Sequence, residues 1–503
     1  MLNNIHKILL AFFLLTTVCY PQDSLNKKID SLPEFSYSNI HEFWSQLDDI
    51  FNDPNFNNAY WGVVIQSLET GEYFYKRNED KLFRPASNMK LFTTSAGLLL
   101  LGNEYKFSTL IYANGQIDGS VLKGNLIVQG GGDPTISGRF FNSDMYKVYN
   151  DWADSLLKLG IDEIDGNIVG DDNLFDDVGL GNGWVWDNES YWYSSPSGAL
   201  SFNDNCVDLV VTVDEKSGKP KVNITPDTKY IVLIKDVRVV SRDSITSIDV
   251  YRERGTNVIN VFGTIKRGTD SVKTFATINN PTQYSVVVLK EVLEKKGIKI
   301  NGYAVDIDDL EKPIDYSNIE FLFAYYSLPL KDIIKVINKN SLNFFAEQLL
   351  KVIGLEKEGH GTAENGVKAI QKVLSDVGIN PESFVMTDGS GLSQLNLVTP
   401  RSIVALLNYM FMNKYFIPFY NSLPIAGVDG TLGTRMKNTL AQNKVRAKTG
   451  FLEYVRSLSG YAFTGDNEPV AFTIIINNFN VPIKLAENIQ DLVCLRLANF
   501  KRK

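Results

Sequence analysis

The chain has 503 residues, of which 44% are hydrophobic and 21% are charged, as in soluble globular proteins. Its length exceeds that of one typical domain and predicts about two to four. A formal net charge of −8, without any basic stripe, excludes nucleic acid as an expected partner. The terminal Lys501-Arg502-Lys503 is interpreted as a solvated tail, because so few cations bind an anionic membrane by only about 1 kcal/mol each.

The first residues have the composition of an export signal. His6-Lys7 gives a weakly basic start, and residues 8–18 are continuously apolar or Thr. This apolar run is too short to span a bilayer. We therefore predict a signal peptide over residues 1–19 and a periplasmic or other extracytoplasmic location. Lipid attachment at Cys19 is the alternative, which the large side chain of Val18 before it disfavours.

Histidine and cysteine usage restricts the chemistry. There are three histidines: His6 lies in the signal, and His41 and His360 lie outside every motif described below, so a Ser-His-Asp triad is not expected. Cys206 and Cys494 follow the signal but are not an obvious pair, and two cysteines do not make a disulfide scaffold. No His/Cys cluster has metal-ligand spacing, so the sequence predicts neither a metal nor a cofactor.

Apolar periodicity and turn residues predict the elements at the two ends of the chain. Strands are expected at residues 61–67 and 73–75, followed by a helix from Pro85 to Leu101 that is apolar on nearly every side and therefore buried. The second half is predicted to contain helices at 330–338, 344–353, 366–377 and 400–412, strands at 445–448, 459–463 and 470–476, and a closing helix at 484–500. Together these elements predict an α/β (α+β) fold with an antiparallel sheet flanked by helices.

The middle of the chain, residues 107–319, has a different pattern. Short β-prone runs between glycines predominate, and helical pattern is limited to 145–159 and 284–296. We interpret this region as one or two small β-rich domains inserted into the first. The glycine-rich stretch 130–134 and the aromatic residues of 184–193 are interpreted as a tight loop and an interdomain contact, with a substrate-facing role for the aromatics as the alternative.

A hydroxyl and an amine are predicted to lie side by side at the start of the first buried helix. Ser87 and Lys90 are three residues apart, so on a helix both side chains project from the same face. Burial lowers the pKa of a lysine, which lets its amine accept a proton from the hydroxyl. Ser87 is therefore the candidate nucleophile and Lys90 its base. The same spacing recurs elsewhere in the chain, so this assignment also depends on motifs downstream.

Two later motifs carry further polar groups. Ser341-Leu342-Asn343 lies in the turn before a predicted helix, where a capping role is the simpler alternative. Lys448-Thr449-Gly450 ends a strand that we interpret as central in the sheet. The glycine would let another backbone or a ligand approach closely, and an ordinary strand end at a turn is the alternative.

In chain order, these three motifs resemble those of the penicillin-recognising serine enzymes. Other stretches narrow the resemblance to the low-molecular-mass class C penicillin-binding proteins, the D-alanyl-D-alanine carboxypeptidase/endopeptidase family. They are Pro85-Ala86-Ser87, Gly131-Gly132-Asp133-Pro134-Thr135, and residues 199–205, 388–393 and 423–432. The resemblance covers nearly the whole mature chain.

The resemblance implies a discontinuous catalytic domain of the serine β-lactamase and DD-peptidase type. Two inserted β-rich domains would account for the long gap between Ser87 and Ser341. The implied division is a catalytic domain over residues 24–107 and 320–503, an inserted domain II over 108–188 and 292–319, and an inserted domain III over 189–291.

The resemblance also implies roles in acyl transfer. Ser87 would attack the carbonyl of the penultimate D-alanine, and Lys90 would take its proton. The nearby cation of Lys448 would add to burial in lowering the pKa of Lys90. Ser341 would relay a proton to the leaving amine.

Substrate binding is implied for the remaining motif residues. Asn343 would hold the substrate amide and help to position the lysine base. Lys448 and Thr449 would bind the terminal carboxylate that D-Ala-D-Ala and penicillin share. Gly450 and Phe451 would complete the substrate-binding strand, and the oxyanion hole would use the N–H of Phe451 with that of the nucleophile.

The chain departs from the family pattern at two positions. Phe451 replaces the usual small hydroxyl residue after Lys-Thr-Gly, which affects carboxylate recognition. Gln394 stands where an arginine is common after Asp-Gly-Ser-Gly-Leu-Ser, which alters loop anchoring.

The expected function is that of an exported serine-type D-Ala-D-Ala carboxypeptidase, endopeptidase or both. Its partners would be peptidoglycan stem peptides ending in D-Ala-D-Ala, or their cross-links, and β-lactam antibiotics. A β-lactamase or esterase on the same scaffold is one alternative, although no deacylating glutamate is apparent. A non-catalytic cell-wall-binding relative is the other, against which the intact motifs argue.

Overall fold

A computed structural model describes residues 40–502 of the chain. The predicted signal peptide, residues 1–19, lies outside the described residues. Within residues 40–502, no helix is long and apolar enough to cross a membrane. The α-helices there are α1 (Ile40–Phe51), α2 (Met89–Leu101), α3 (Lys147–Lys158), α4 (Pro281–Lys295), α5 (Leu330–Lys339), α6 (Asn343–Glu358), α7 (Ala363–Asp376), α8 (Pro400–Met412), α9 (Phe416–Ser422) and α10 (Ile483–Asn499).

The strands fall into groups along the chain. The first fifteen are β1 (Tyr60–Ser67), β2 (Tyr73–Arg77), β3 (Ser108–Asp118), β4 (Val121–Gly130), β5 (Glu163–Ile164), β6 (Ile168–Asp171), β7 (Cys206–Val213), β8 (Pro220–Thr225), β9 (Val232–Val240), β10 (Ser247–Arg252), β11 (Val258–Lys266), β12 (Val272–Thr277), β13 (Lys299–Ile300), β14 (Ala304–Asp306) and β15 (Glu320–Tyr326). The last five are β16 (Phe384–Val385), β17 (Leu397–Val398), β18 (Val445–Leu452), β19 (Val455–Phe463) and β20 (Pro469–Asn477).

Strands from both ends of the chain form one five-stranded sheet. Its order is β18-β19-β20-β1-β2, and every neighbouring pair is antiparallel. Val63 of β1 faces Ile474 of β20 directly. The predicted antiparallel sheet flanked by helices is therefore confirmed. The interpretation of residues 445–448 as a central strand is wrong, because β18 lies at the edge of the sheet. Val445, Ala447 and Lys448 are nevertheless buried, which gives this part of β18 the composition of a central strand.

Helices cover the two faces of the five-stranded sheet. Side chains alternate along a strand, so Ile474 and Ile476 of β20 enter one core, which α1 and α10 complete. Ile475 points the other way and packs with α2, α5 and α6 in the largest core. The nucleophile region lies on this second side.

The helix α2 has the predicted buried character. Its residues from Met89 to Leu98 are all buried. It begins at Met89 rather than at Pro85, because a single 3₁₀ turn, Ala86–Asn88, precedes it. Gly102 ends the helix with a φ of +90°, and its N–H donates to the carbonyl of Leu98.

The predicted C-terminal helices correspond to α5, α6, α7, α8 and α10. The short helix α9 was not predicted, because Pro418 suggests a break in a helical pattern. Pro418 lies in the first turn of α9, where its missing N–H costs no hydrogen bond.

The middle region is β-rich, as predicted. It contains a seven-stranded sheet around β3 and β4 and two three-stranded sheets, β10-β11-β9 and β12-β7-β8. Residues 320–326, which the sequence division assigned to the catalytic domain, form β15 and pair with β3 in the seven-stranded sheet. The division between residues 291 and 292 falls inside α4. The β15–β3 pairing and the continuity of α4 across residues 291 and 292 both bear on where the domain boundaries are placed.

Candidate active site

The 3₁₀ turn before α2 places a hydroxyl beside a buried amine. Ser87 is half-buried in this turn, and its Oγ lies 3.0 Å from Nζ of Lys90. Lys90 is fully buried. The residue before the serine, Ala86, has a φ of +48°, a left-handed conformation that is costly for a residue with a side chain. Such strained positions cluster at functional sites.

Two further oxygens fix the Lys90 amine. Its Nζ donates to Oδ1 of Asn343 over 2.6 Å and to the carbonyl of Ser390 over 2.7 Å. Asn343 in turn donates from Nδ2 to the carbonyl of Tyr193 over 2.7 Å. The amine is therefore held from three sides, by the turn before α2, by the start of α6 and by the loop at residue 390.

Burial lowers the pKa of Lys90 to about 7, and the carboxylates of Asp388 and Glu347 oppose this shift. The repulsion between the two lysines of the site affects the pKa of Lys448. Burial, joined by the positive charge of Lys90, holds the pKa of Lys448 well below its usual range. Burial lowers the pKa of Lys90, as predicted. The repulsion between the two lysines, which was predicted to lower the pKa of Lys90, instead lowers the pKa of Lys448.

Ser341 bridges toward the second lysine. Its Oγ accepts a hydrogen bond of 2.7 Å from Nζ of Lys448. Ser341 has a φ of +59° and precedes Leu342, which is the N-cap residue of α6. No side chain caps this helix end, so the capping alternative does not account for Ser341 or Asn343.

The Lys448-Thr449-Gly450 segment packs directly against the nucleophile turn. The carbonyl of Lys448 accepts a bond of 2.8 Å from Nδ2 of Asn88. A Cβ added to Gly450 would lie 2.8 Å from the carbonyl of Pro85. The absence of a side chain at Gly450 is therefore what permits this approach, as its sequence context predicts. Thr449 is half-buried, and its Oγ1 donates to Oγ1 of Thr431 over 2.7 Å.

The outer edge of β18 presents backbone groups that do not pair with β19. Ala426 donates to the carbonyl of Val445, and the N–H of Ala447 donates to Pro424, each over 3.0 Å. Backbone groups of alternate residues in an antiparallel strand point to the same side, so the N–H of Phe451 also points out of this edge. The geometry thus offers a backbone donor beside the turn that carries Ser87.

The side chain of Phe451 projects into solvent over a buried cation. Its ring is 62% exposed, and the Cζ atom of Arg456 lies 3.7 Å from the ring centroid. Arg456 faces Phe451 across the β18–β19 pair, and burial lowers its pKa to about 10. The ring therefore packs on a guanidinium group as a cation–π pair.

Gln394 participates in a replacement anchor for its loop. Nη1 of Arg84 donates to Oε1 of Gln394 over 2.8 Å, and Nη2 donates to Oδ1 of Asn478 over 3.1 Å. The arginine of this contact is therefore Arg84, three residues before Ser87 in the chain, and not a residue of the loop that contains Gln394. The predicted effect of Gln394 on loop anchoring, relative to the family, stays a prediction.

Within residues 40–502, no group of three or more His, Cys, Asp or Glu side chains is placed to hold a metal ion. Cys206 and Cys494 are both buried free thiols.

The sequence of the chain matches a known family of peptidases. A family model described as the D-Ala-D-Ala carboxypeptidase 3 (S13) family matches residues 44–499. The chain belongs to this family. It is therefore a hydrolase of the serine-type D-Ala-D-Ala carboxypeptidase class, and the resemblance to low-molecular-mass class C penicillin-binding proteins is confirmed.

Members of the S13 family align over most of the chain. The D-alanyl-D-alanine carboxypeptidase of Actinomadura sp. (strain R39) is 31% identical over 481 residues, which are 93% of this chain and 87% of that protein. D-alanyl-D-alanine carboxypeptidase DacB of Haemophilus influenzae is 28% identical over 457 residues, or 90% of each chain. The crystal structure of penicillin binding protein 4 (dacB) from Haemophilus influenzae superposes with a TM-score of 0.76 at 27% identity and covers 89% of this chain and 98% of the other.

Two buried carboxylates beside the site were not singled out from the sequence. Asp388 accepts bonds from the N–H groups of Gly391 and Ser393, over 2.8 and 2.6 Å. Glu347 accepts from two neighbouring N–H groups of the same loop. The signal for Glu347 was its position four residues after Asn343 on one helix, which puts both on the same face.

The aromatic stretch 184–193 contacts this site from the inserted region. Nε1 of Trp184 donates to Oδ2 of Asp388 over 2.8 Å, and Tyr193 supplies the carbonyl that Asn343 binds. Trp186 is 67% exposed and makes no such bridge in the described residues. The stretch therefore links the inserted region to residues of the site, and its role as an interdomain contact stays a prediction. A cavity of about 510 Å³ opens beside it, with Trp192 and Asn343 in its wall.

Proposed function

We propose that this S13 peptidase forms its acyl-enzyme on Ser87, with Lys90 as the general base. The observation that carries the proposal is the 3.0 Å separation between Ser87 Oγ and Lys90 Nζ at a fully buried amine. A lysine whose pKa lies near 7 is neutral in a large fraction of molecules at neutral pH. Such an amine can accept the hydroxyl proton as the oxygen attacks.

Acylation would proceed through a tetrahedral intermediate. A bond forms between Ser87 Oγ and the carbonyl carbon of the penultimate D-alanine, and the hydroxyl proton moves to Lys90. The backbone N–H groups of Ser87 and Phe451 would stabilise the oxyanion. The bond to the terminal D-alanine then breaks, and its amine receives a proton through Ser341. Water hydrolyses the acyl-enzyme in a second step.

The substrate's terminal carboxylate would be bound by Lys448 and Thr449. Both lie on β18 beside the nucleophile turn, and Lys448 Nζ already contacts Ser341. A bound carboxylate would restore the positive charge that burial disfavours on Lys448. Asn343 would hold the scissile peptide's amide while its Oδ1 keeps Lys90 in place. Gly450 would let β18 approach the nucleophile turn closely, so that a substrate bound along β18 lies beside Ser87.

We further propose a location and a domain division. Residues 1–19 would direct export, so that the enzyme meets peptidoglycan stem peptides outside the cytoplasm. The catalytic domain would comprise residues up to 107 and the chain from the end of β15 onward, because β15 pairs in the inserted sheet. The region between them would form the inserted domains II and III.

A β-lactam would act as a slowly released substrate mimic. A crystal structure of the Haemophilus influenzae protein complexed with a novel β-lactam aligns with this chain at a TM-score of 0.72 and 26% identity. Both carboxylate oxygens of Glu347 accept backbone N–H bonds, so this residue is not oriented to activate a deacylating water. We therefore favour a peptidase over a β-lactamase.

The test is labelling followed by product analysis. Purified protein lacking residues 1–19 is treated with labelled penicillin and digested, and we expect one adduct on the peptide that contains Ser87. An adduct on the peptide of Ser341, or none at all, would overturn the assignment. Digestion of cross-linked peptidoglycan then separates the two activities, because a carboxypeptidase releases D-alanine and an endopeptidase releases monomeric stem peptides.

A further inference from the structure

A backbone carbonyl completes the environment of the lysine base. The stretch Asp388–Ser393, here called the 388–393 loop, faces the buried end of Lys90. Ser390 supplies the carbonyl that accepts from Nζ over 2.7 Å. A displacement of this loop would remove one of the three oxygens that hold the amine.

The 388–393 loop depends on a buried carboxylate of α6. Oε2 of Glu347 accepts from the N–H of Gly389 over 3.0 Å, and Oε1 accepts from the N–H of Ser390 over 2.8 Å. Glu347 is only 5% exposed. It lies one helical turn after Asn343, so a single rigid helix presents two groups toward Lys90, one directly and one through the loop.

The peptide plane that carries the Ser390 carbonyl is fixed from its other end as well. The carbonyl of Ser390 and the N–H of Gly391 belong to one planar peptide unit, and this N–H donates to Oδ1 of Asp388 over 2.8 Å. Thr93 of α2 adds a third tie, since its Oγ1 donates to the carbonyl of Gly389 over 2.7 Å. The orientation of the carbonyl is thus determined by Glu347, Asp388 and Thr93 together.

We infer that Glu347 is a positioning residue for acyl transfer, which holds the Ser390 carbonyl against Lys90 and so keeps the amine within reach of Ser87. This inference rests on the proposed role of Lys90 as base. A purely structural role would require the contacts with Gly389 and Ser390 only for folding. The two roles differ in what happens to the base when the carboxylate is removed.

Four ionisable groups face one another in this region: the cations Lys90 and Lys448 and the carboxyl groups Glu347 and Asp388. Burial and the charge of Asp388 raise the pKa of Glu347 to about 7, whereas the bonds from Gly389 and Ser390 favour its charged form. In that form its charge raises the pKa of Lys90, so removal of the charge lowers that pKa. Lys90 then loses its proton at a lower pH. The acylation rate falls as the pH drops below the pKa of Lys90, and this fall is here called the acidic limb of the pH–rate profile. In a variant that lacks the charge of Glu347, the acidic limb should therefore lie at lower pH.

The experiment measures acylation by a fluorescent penicillin between about pH 5 and 9. In Glu347→Gln, one backbone N–H loses its acceptor, and we expect the acylation rate constant above the limb to fall by about tenfold or more. We also expect the acidic limb to move to lower pH. The matched control is Glu364→Gln. Glu347 and Glu364 line one cavity of about 450 Å³, but Glu364 is exposed on α7. This control should retain the wild-type rate and limb.

A second variant keeps the test decisive if Glu347→Gln does not fold. Thr93→Val is nearly isosteric and removes the tie to Gly389 without changing a charge, so it should slow acylation and leave the limb in place. An unchanged rate in folded Glu347→Gln, a slowed rate with an unmoved limb, or an unchanged rate in Thr93→Val would each overturn the inference. Wild-type protein that does not react with penicillin would instead refute the proposed function itself.

Discussion

Nζ of Lys90 donates a hydrogen bond of 2.6 Å to Oδ1 of Asn343, although 253 positions separate the two residues in the chain. The contact joins α2 to the first residue of α6. Because one partner precedes the inserted region and the other follows it, the base cannot be assembled until both ends of the chain have come together.

Replacement of the base should abolish acylation without loss of the fold. In Lys90→Arg, the positive charge remains but the guanidinium cannot give up its proton. We expect penicillin labelling to fall by several orders of magnitude, or about 4–8 kcal/mol of barrier. Labelling on a gel gives the rate, and circular dichroism checks the fold. Normal labelling in a folded variant would remove Lys90 from the mechanism.

The pH dependence of acylation should report the lysine. Burial lowers the pKa of Lys90 to about 7, and only the neutral amine accepts the proton of Ser87. The rate should therefore rise with pH up to about 7 and level off above it. Below this range it should fall by about tenfold for each pH unit. Stopped-flow acylation in buffers of constant ionic strength measures this profile, and a rate independent of pH between 5 and 8 would contradict it.

Phe451 should contribute through its backbone rather than its ring. Phe451→Thr keeps the N–H that points out of β18, so acylation should stay within about tenfold of wild type. The change also removes the ring from Arg456, which lies 3.7 Å away, and uncovers that guanidinium. Acylation rates of both proteins, measured with the same penicillin, decide the question. A loss of several orders of magnitude in the folded variant would show that the ring itself is required.

Gly450 should tolerate no side chain. A Cβ there would lie 2.1 Å from Oγ of Ser457 and 2.8 Å from the carbonyl of Pro85, so Gly450→Ala must separate β18 from the nucleophile turn. We expect acylation to fall by at least about tenfold, with destabilisation of about 1–3 kcal/mol.

The control is Gly198→Ala, since a Cβ at Gly198 meets its nearest atom at 3.6 Å, an ordinary contact. Thermal unfolding and acylation are measured for both variants. Equal effects of the two substitutions would mean that close packing at Gly450 is not what brings strand and turn together.

The sequence predicted the local elements well because apolar periodicity reports burial directly. The buried helix α2 and the five-stranded sheet are examples. It misplaced β18 at the centre of the sheet, since a strand with several buried residues has the same composition whether or not it has two neighbouring strands. It missed α9, whose Pro418 is compatible with a helix only in the first turn.

The candidate site could likewise be predicted only where its residues are close in sequence. Ser87 and Lys90 could be paired from their spacing, because three residues on a helix define a distance. The approach of Asn343 and Lys448 to them came from the family resemblance, since no local pattern determines contacts between distant segments. Glu347 was overlooked because a glutamate within an apolar helix gives no sign of its partners, which here are backbone N–H groups of a loop.

Because β18 lies at the edge of the sheet, the number of its free backbone groups limits the length of any segment that can pair with it. An exposed strand edge usually invites other chains to add strands, which leads to aggregation. Here the segment at Pro424 and Ala426 already pairs with Val445 and Ala447, so the outward-pointing residues beyond it are Thr449 and Phe451. An open edge this short accommodates an extended peptide end of about two residues but not a whole strand. Under the substrate binding proposed above, this short edge would suit a dipeptide terminus, and it also leaves little edge for association with another sheet.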